Sequence, residues 1–197
     1  VVAGQLGLED RVVDEGTDGI GVEGDRTGGE GCVVHPASLP GGGARTVPCM
    51  QVLVTGATGY IGGRLVPRLL EAGHQVRVFV RTPRKLQDVP WHDDVEVAAG
   101  DLQDAEAVRA AVQGVEAVYY LAHAMGADGD FEQAERDAVE TMAREGRDAG
   151  VRRFVYLGGL HPEGELSKHL RSRKEVGDVL LASGVPTVAY QAGVVIG

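Results

Sequence analysis

The sequence predicts an α/β fold built on a doubly wound parallel sheet, and two features of the chain indicate it. From Met50 onward, short β-branched runs alternate with longer segments of helical periodicity, which is the pattern of βαβ units. A glycine also follows each helical segment, where helices commonly end, at Gly73, Gly114, Gly150 and Gly184. We therefore expect parallel strands joined by right-handed crossovers.

The pattern predicts six strands and four helices in alternation. The strands are expected at residues 51–55, 75–80, 94–98, 115–121, 152–157 and, more weakly, 185–190. The helices are expected at roughly 60–72, 103–113, 130–149 and 166–183. The third helix carries an apolar stripe typical of a helix that faces the core, formed by Phe131, Ala134, Ala138 and Met142.

The first 49 residues differ from the rest of the chain. They contain 12 of the 30 glycines, eight acidic and three basic residues, and no Phe, Trp or Tyr. Such a segment buries too little apolar surface to offset the entropy lost on ordering, so we interpret residues 1–49 as a disordered leader before a folded domain at 50–197. A second hypothesis is that the native protein starts at Met50, directly before the first strand.

Composition argues against several classes of protein. The net charge of −10 and the pI near 5.0 disfavour a nucleic-acid binder, which shows a basic surface. The sequence contains no run of 18 apolar residues, so it predicts no helix across a membrane. The two cysteines, Cys32 and Cys49, form no C-x-x-C motif and favour a reduced, cytoplasmic protein. The six histidines show no metal-ligand spacing, so we expect no metal site.

A glycine-rich turn follows the first predicted strand and opens the first predicted helix, which is the context that a dinucleotide-binding turn requires. Gly56 permits a tight turn, Gly59 removes a side chain where a pyrophosphate approaches, and Gly62 allows close packing of the helix. Free N–H groups at the helix start would bind the phosphates. A purely structural turn is the alternative. The predicted cofactor-binding residues here are Thr55, Gly56, Thr58, Gly59, Tyr60, Ile61 and Gly62.

The turn Thr-Gly-Ala-Thr-Gly-Tyr-Ile-Gly resembles the G-x-x-G-x-x-G turn of the short-chain dehydrogenase/reductase superfamily, especially its extended and atypical, NmrA-like branches. The segments 155–160 and 166–173 are similar to bacterial NmrA-like NAD(P)H-binding proteins. The resemblance covers residues 50–197 and implies a Rossmann fold that binds a nicotinamide nucleotide. The chain ends at Gly197, just after the sixth predicted strand, and a complete dinucleotide enzyme normally places its substrate-determining elements after this point. We therefore expect the chain to be truncated at its C-terminus, and the related proteins often carry a further C-terminal domain.

The end of the second strand indicates which nucleotide is bound. NAD enzymes usually place an acidic residue about 20 residues beyond the glycine turn, whereas NADP enzymes accommodate a basic one. This chain has Arg81, Arg84 and Lys85 there, and a guanidinium pairs well with a 2′-phosphate. We therefore predict NADP(H) in preference to NAD(H), with Arg81 and Arg84 as cofactor-binding residues. A solvated basic loop is the alternative.

Two further segments are expected to touch the cofactor. Asp101 and Leu102 resemble the superfamily's Asp-hydrophobic pair beside the adenine, although helix capping by Asp101 or Asp104 is an equal alternative. Leu121, Ala122 and His123 end the fourth strand, where related proteins line the cofactor with backbone and small side chains. We interpret His123 as a strand-end histidine rather than a catalyst.

The catalytic set of the superfamily is altered. Its reductases commonly use a Ser or Thr after strand five and a Tyr-x-x-x-Lys on the next helix. Here the resemblance places His169 at the tyrosine position and Arg173 at the lysine position, and strand five ends without a hydroxyl in Gly158-Gly159-Leu160. One hypothesis is that His169 acts as an acid near neutral pH while Arg173 holds the ribose or a phosphate. The alternative is a solvated basic stretch.

These observations leave two functions open. The first is an atypical NADP(H)-dependent oxidoreductase that acts on a small organic substrate, with the hydride chemistry belonging to the nicotinamide. The second is a non-catalytic module that reports the NADP(H) state to a regulated protein partner. The sequence favours neither a nucleic-acid nor a membrane partner, and it does not indicate an oligomeric state.

Overall fold

The computed structural model describes residues 49–123, 131–160 and 166–193 of the chain. Within these ranges six strands form one parallel sheet in the order β3-β2-β1-β4-β5-β6. The strands are β1 (Gln51–Thr55), β2 (Gln75–Val80), β3 (Glu96–Ala99), β4 (Ala117–Tyr120), β5 (Arg153–Gly159) and β6 (Thr187–Ala192). β1 lies in the middle of the sheet. The chain continues through β2 to β3 at one edge, then crosses back to β4 beside β1 and continues through β5 to β6 at the other edge. This order confirms the predicted doubly wound fold.

Four helices lie at the predicted positions, with ends within about two residues of those expected: α1 (Tyr60–Glu71), α2 (Ala105–Val112), α3 (Phe131–Asp148) and α4 (Lys168–Leu181). The glycines predicted to end them all have positive φ angles, between +72° and +84°. In this conformation a side chain would be strained, which explains the choice of glycine. No helix among these described residues is long and apolar enough to cross a membrane.

The connection between β2 and β3 contains two short 3₁₀ turns, Pro83–Leu86 and His92–Asp94, instead of an α-helix. Neither turn is predicted by the pattern of the sequence. Leu86 is fully buried and Trp91 is almost so, and both belong to the core on the α1 face of the sheet. The first turn fixes which of the nearby basic side chains faces the site described below.

Both faces of the sheet are covered, as parallel sheets require. Alternate residues of β1 point to opposite faces: Val52 and Val54 join the core beneath α1, whereas Leu53 joins the core beneath α2, α3 and α4. All three side chains are fully buried. Burial on both sides leaves the carboxyl ends of the strands as the place where a parallel sheet of this order offers a crevice.

The leader predicted for residues 1–49 lies almost entirely outside the described residues, as does His35. The structure begins at Cys49, and Gln75 donates its backbone N–H to the carbonyl of Met50 at 3.0 Å. The chain therefore enters the sheet immediately after Met50, in register with β2.

Candidate functional site

A large cavity opens at the carboxyl ends of the strands, where the order of the sheet reverses between β1 and β4. Its volume is about 1240 Å³. It contains most of the predicted site residues: Gly56, Thr58, Gly59, Tyr60, Ile61, Gly62, Arg81, Asp101, Leu102, Leu121, Ala122, His123 and Arg173. Three predicted residues are not in its lining, namely Thr55, Arg84 and His169.

Two glycines of the turn are required by close backbone contacts. Gly56 has φ +72°, and a Cβ there would lie 2.8 Å from the carbonyl carbon and oxygen of Leu121. A Cβ on Gly62 would collide with the carbonyl oxygen of Gly56 and lie 2.8 Å from the Cα of Ala57. Gly62 therefore allows α1 to start directly against the turn, in agreement with the predicted close packing of the helix.

Gly59 has a different environment. Its φ of −86° suits any residue, and a Cβ would meet only the carbonyl oxygen of Gly56, at 3.3 Å. A side chain here would require the carbonyl of Gly56 to move by a few tenths of an ångström, which is a milder demand than the backbone collisions at Gly56 and Gly62. The missing side chain instead keeps the start of α1 open toward the cavity, which is what a phosphate approaching the backbone needs.

The start of α1 presents hydrogen-bond donors to the cavity. The N–H of Gly59 donates to the carbonyl of Gly56 at 3.0 Å, and the first bond inside the helix joins the N–H of Gly63 to the carbonyl of Gly59 at 2.9 Å. No side chain caps this end, and the first turn holds no acidic residue. The N–H groups of the first helical residues Tyr60, Ile61 and Gly62 thus remain for an anion, together with the positive end of the helix dipole.

Thr55 supports the site without reaching it. Its side chain is fully buried, and its Oγ1 accepts hydrogen bonds from the backbone N–H groups of Leu121 at 3.0 Å and Ala122 at 3.1 Å. The hydroxyl itself lies 3.4 Å from the carbonyl oxygen of Tyr119, to which it donates. Thr55 therefore holds the ends of β1 and β4 together, and its predicted part in the site is that of a support.

The β2 side of the cavity is basic. Arg81 and Lys85 line it, whereas Arg84, which the sequence analysis chose instead of Lys85, does not. The reason is the 3₁₀ turn, since neighbouring residues in such a turn point about 120° apart. The basic cluster predicted from the sequence is thus present, with Lys85 in place of Arg84 among the lining residues.

The segment after β3 was predicted either to contact the cofactor or to cap the next helix, and two different aspartates correspond to these two interpretations. Asp104 caps α2, because its carboxylate accepts from the N–H groups of Glu106 at 3.0 Å and Ala107 at 3.3 Å. Asp101 is not the cap; it accepts from the N–H of Gln103 at 3.0 Å and lines the cavity beside Leu102.

The opposite side of the cavity lies at the ends of β4 and β5 and the start of α4. Arg173 lines it, but His169 is exposed and stacks on Phe131 with ring centroids 4.8 Å apart. The structure thus separates the two residues that the sequence analysis paired. It brings only Arg173 to the cavity, so the geometry gives no support to His169 as an acid in this site.

A polar cluster that the sequence analysis missed lies next to Arg173. The Glu135 carboxylate, only 4% exposed, accepts from the hydroxyl of Ser172 and lies 3.3 Å from Nδ1 of His123. Glu135 directly follows Ala134 on the cavity face of α3, so a carboxylate beside a predicted core stripe was the available signal. Ser172 directly precedes Arg173 and gave no signal of its own.

The charge of Glu135 is stabilised in place. Burial favours its neutral form, but the hydrogen bonds from His123 and Ser172 and the positive charge of Arg173 outweigh burial and lower the pKa of Glu135 below its ordinary value. Glu135 is therefore a carboxylate at neutral pH.

Two buried tyrosines border this cluster. The Tyr156 hydroxyl donates to the backbone carbonyl of Arg173 at 2.8 Å, and burial raises the pKa of Tyr156 well above its ordinary value. Burial likewise raises the pKa of Tyr120, which is 1% exposed. Both are buried in the core beneath the site.

A family model described as NAD(P)H-binding matches residues 56–184, well over half of the chain. The chain belongs to this family. The match starts at the first glycine of the turn and ends at the glycine that follows α4, so it includes almost every element around the cavity. Together with the relatives described next, it confirms the reductase superfamily that the glycine turn resembles.

Curated relatives share the same region. The chain is 37% identical over 126 residues to a 3β-hydroxysteroid dehydrogenase/Δ5→4-isomerase of Mycobacterium tuberculosis, covering 59% of this chain and 33% of that protein. It is 40% identical over 131 residues to sterol demethylase protein B of Methylococcus capsulatus, covering 61% and 39%. The chain thus matches only about a third of the length of these relatives.

Solved structures show the same fold. Triphenylmethane reductase of Citrobacter sp., crystallised with NADP(H), superposes with a TM-score of 0.58 at 22% identity, over 71% of this chain and 48% of that one. At this identity the likeness establishes the architecture of the sheet and helices.

Proposed function

We propose that this chain is the nucleotide-binding part of an NADP(H)-dependent oxidoreductase acting on a small organic substrate. The observation that carries the proposal is the uncapped start of α1, where the N–H groups of Tyr60, Ile61 and Gly62 face a cavity large enough for a dinucleotide. Membership of the NAD(P)H-binding family supports it. The names of the curated relatives, which include dehydrogenases and reductases, support the reaction class.

The uncapped start of α1 fits the diphosphate of such a nucleotide. At Gly59 the absent side chain leaves the helix start accessible, and a Cβ there would make one tight contact with the protein, 3.3 Å from the carbonyl oxygen of Gly56. Anions bind such helix starts because the N–H groups and the dipole act together. Glycine at this position thus keeps the helix start open for a ligand.

The preference for NADP(H) is proposed from the β2 side of the cavity. Arg81 and Lys85 line it where an NAD enzyme usually places a carboxylate. Arg81 would pair with a 2′-phosphate through two N–H groups, and Lys85 would add a second positive charge. Asp101 and Leu102 lie on the same side, beside the expected position of the adenine.

The nicotinamide would then lie on the β4–β5 side, because the diphosphate sits between the two halves of the sheet. When bound, the nicotinamide supplies the hydride. The chain's own residues on that side orient the nucleotide: Arg173 would hold the ribose, while the backbone of Leu121 and Ala122 and the small residues Gly158 and Gly159 leave room for the ring.

Calorimetric titration of the chain with NADPH and NADH tests the proposal. We expect binding of both, with NADPH tighter. Gly59→Ala should weaken NADPH binding by roughly tenfold or more, equivalent to about 1.4 kcal/mol, with an unchanged circular dichroism spectrum. Gly63→Ala is the matched control, because a Cβ there meets only the carbonyl oxygen of Ala57 at 3.6 Å. Absence of binding heat from folded protein, or equal affinity in both variants, would contradict the proposal.

A further inference from the structure

Three side chains from three elements form a hydrogen-bonded chain that ends at the cavity. Ser172 of α4 and Glu135 of α3 are 2% and 4% exposed, whereas His123, after β4, lines the cavity with 19% of its side chain exposed. The hydroxyl of Ser172 donates to one carboxylate oxygen of Glu135, and the other oxygen faces Nδ1 of His123 at 3.3 Å. Ser172 thus fixes Glu135, and Glu135 fixes the imidazole.

This arrangement determines which ring nitrogen is free to exchange a proton. Glu135 is acceptor-only when ionised, so Nδ1 of His123 must carry a hydrogen in both the neutral and the charged ring. The second nitrogen, Nε2, has no hydrogen-bond partner among the described residues. It is the position where His123 gains or loses its proton.

Three other ionisable side chains near this end of the cavity are less suited to exchange a proton. The Tyr156 proton is donated to the carbonyl of Arg173 at 2.8 Å. Tyr120 borders the cavity, but only 1% of its surface is exposed, and burial raises its pKa well above the ordinary value. Arg173 does not release its proton in proteins. Among the described residues that line the nicotinamide side, His123 is therefore the group suited to proton exchange.

We propose that His123 exchanges the proton of the reaction with the substrate, and that Glu135 and Ser172 are its positioning residues. This inference rests on the proposed function, because the nicotinamide must lie on the β4–β5 side for His123 to meet the substrate. It gives the altered catalytic set a replacement that comes from the end of β4 and from α3, not from the tyrosine position that His169 occupies.

The step balances as follows for a carbonyl substrate. Two electrons and a hydrogen reach the carbonyl carbon as the hydride that the bound nucleotide supplies. The Nε2–H bond of the charged His123 ring breaks while an O–H bond forms on the substrate oxygen, which yields an alcohol. The neutral imidazole would keep its hydrogen bond from Nδ1–H to Glu135 and would regain its Nε2 proton from the solution, so that each reduction consumes one solvent proton. In the oxidative direction, Nε2 accepts the hydroxyl proton.

Chemical footprinting locates His123 relative to the nucleotide. Diethyl pyrocarbonate modifies accessible neutral imidazoles, and mass spectrometry identifies the modified histidine. We expect NADPH to protect His123, whereas 2′,5′-ADP, which fills only the adenosine side, should leave it reactive. His92, in the turn before β3 with 40% of its side chain exposed, is the internal control and should react equally throughout. Reactivity of His123 that persists in the NADPH complex would overturn the proposal.

Histidine nitrogen NMR tests the positioning residues without turnover. In the neutral ring of His123 we expect the hydrogen on Nδ1 in the native chain. In Glu135→Gln the form with the hydrogen on Nε2 should gain population, because the ionised carboxylate that requires a donor from Nδ1 is gone. In Ser172→Ala the same change should be weaker, because Glu135 is still present but is less firmly held. A hydrogen already on Nε2 in the native chain would contradict the assignment.

Turnover with 4-nitrobenzaldehyde, an unhindered and activated carbonyl, tests the proton transfer. His123→Gln should lower kcat roughly 100-fold and leave the KM for NADPH unchanged, while His169→Gln should leave both unchanged. The proposal for His123 is overturned if His123→Gln has the same kcat as the native chain, or if the native chain shows no turnover. Calorimetry separates this result from failure of the proposed function, because NADPH binding would persist in the first case and be absent in the second.

Discussion

Thr55 Oγ1 lies 3.0 Å from the backbone nitrogen of Leu121 and accepts its hydrogen, which joins the ends of β1 and β4 beside the cavity. A second N–H, from Ala122, donates to the same oxygen at 3.1 Å. The same region is where Leu121 approaches Gly56 so closely that no Cβ fits. The glycine turn and the end of β4 are therefore one structural unit, and the proposed nucleotide site at the start of α1 depends on both.

Thr55→Val should destabilise the fold, because it keeps the shape of the side chain but leaves the two partly buried N–H groups of Leu121 and Ala122 without their acceptor. The expected loss is about 1–3 kcal/mol, measured by urea unfolding. Thr55→Ser retains the hydroxyl and should recover most of the stability. Equal stability of the two variants would show that the hydroxyl is not the important feature of this residue.

Gly62→Ala and Gly63→Ala should differ sharply although the two positions are adjacent. A Cβ at position 62 would meet backbone atoms of Gly56 and Ala57, so overpacking should cost about 1–3 kcal/mol. A Cβ at position 63 has only an ordinary contact at 3.6 Å, and replacing a helical glycine there should stabilise by up to about 1 kcal/mol. Thermal unfolding of both variants checks the sign of each effect; a stable Gly62→Ala would refute the close packing.

Arg81→Ala and Lys85→Ala should each weaken NADPH binding more than NADH binding. Both side chains line the cavity, and removing a charge that pairs with a 2′-phosphate should cost roughly tenfold in affinity, about 1.4 kcal/mol. Arg84→Ala is the matched control, since Arg84 does not line the cavity. Calorimetry at low and high salt should show the largest differences at low salt. Equal losses for NADPH and NADH would remove the basis of the NADP(H) preference.

Glu145 should contribute to acid sensitivity. Its carboxylate, 4% exposed, lies 2.8 Å from Nε of Arg109 and 3.1 Å from Nε of Arg144, and the hydrogen bond from Arg109 is the main cause that lowers the pKa of Glu145 below its ordinary 4.5. A lowered pKa in the folded state means that the stabilisation is present above about pH 4.5 and is lost as pH falls through the folded value.

Glu145→Gln should therefore lower the melting temperature at pH 7 and shrink the further drop between pH 5 and 3. Glu140→Gln, at an exposed position of the same helix, is the control and should leave both values near those of the native chain. A native-like pH profile in Glu145→Gln would show that its ion pairs do not contribute.

Tyr156 should affect stability in the opposite pH range. Burial raises its pKa above the ordinary value of 10, so the folded state disfavours ionisation and stability is lost as pH rises above about 10. Tyr156→Phe should cost about 0.5–1.5 kcal/mol at pH 8 through its lost hydrogen bond to Arg173. The difference from the native chain should narrow above pH 10 in urea unfolding. Tyr190→Phe, on a tyrosine that is 60% exposed, should show neither effect.

The sequence by itself determined the order and type of the elements and the glycine turn. These features depend on residues that are close in the chain: β-branched runs form strands, apolar periodicity forms helices, and Gly56, Gly59 and Gly62 act through a turn of a few residues. The same local patterns carried the superfamily resemblance, which the family match then confirmed.

Only the tertiary structure decided which side chains share the cavity. A 3₁₀ turn brings Lys85 rather than Arg84 to the basic side, and packing of α4 on α3 leaves His169 stacked on Phe131. In the His123–Glu135–Ser172 cluster, Glu135 lies 12 positions after His123 and 37 positions before Ser172 in the sequence. No local pattern encodes such contacts, because they arise from the way the helices pack across a shared sheet.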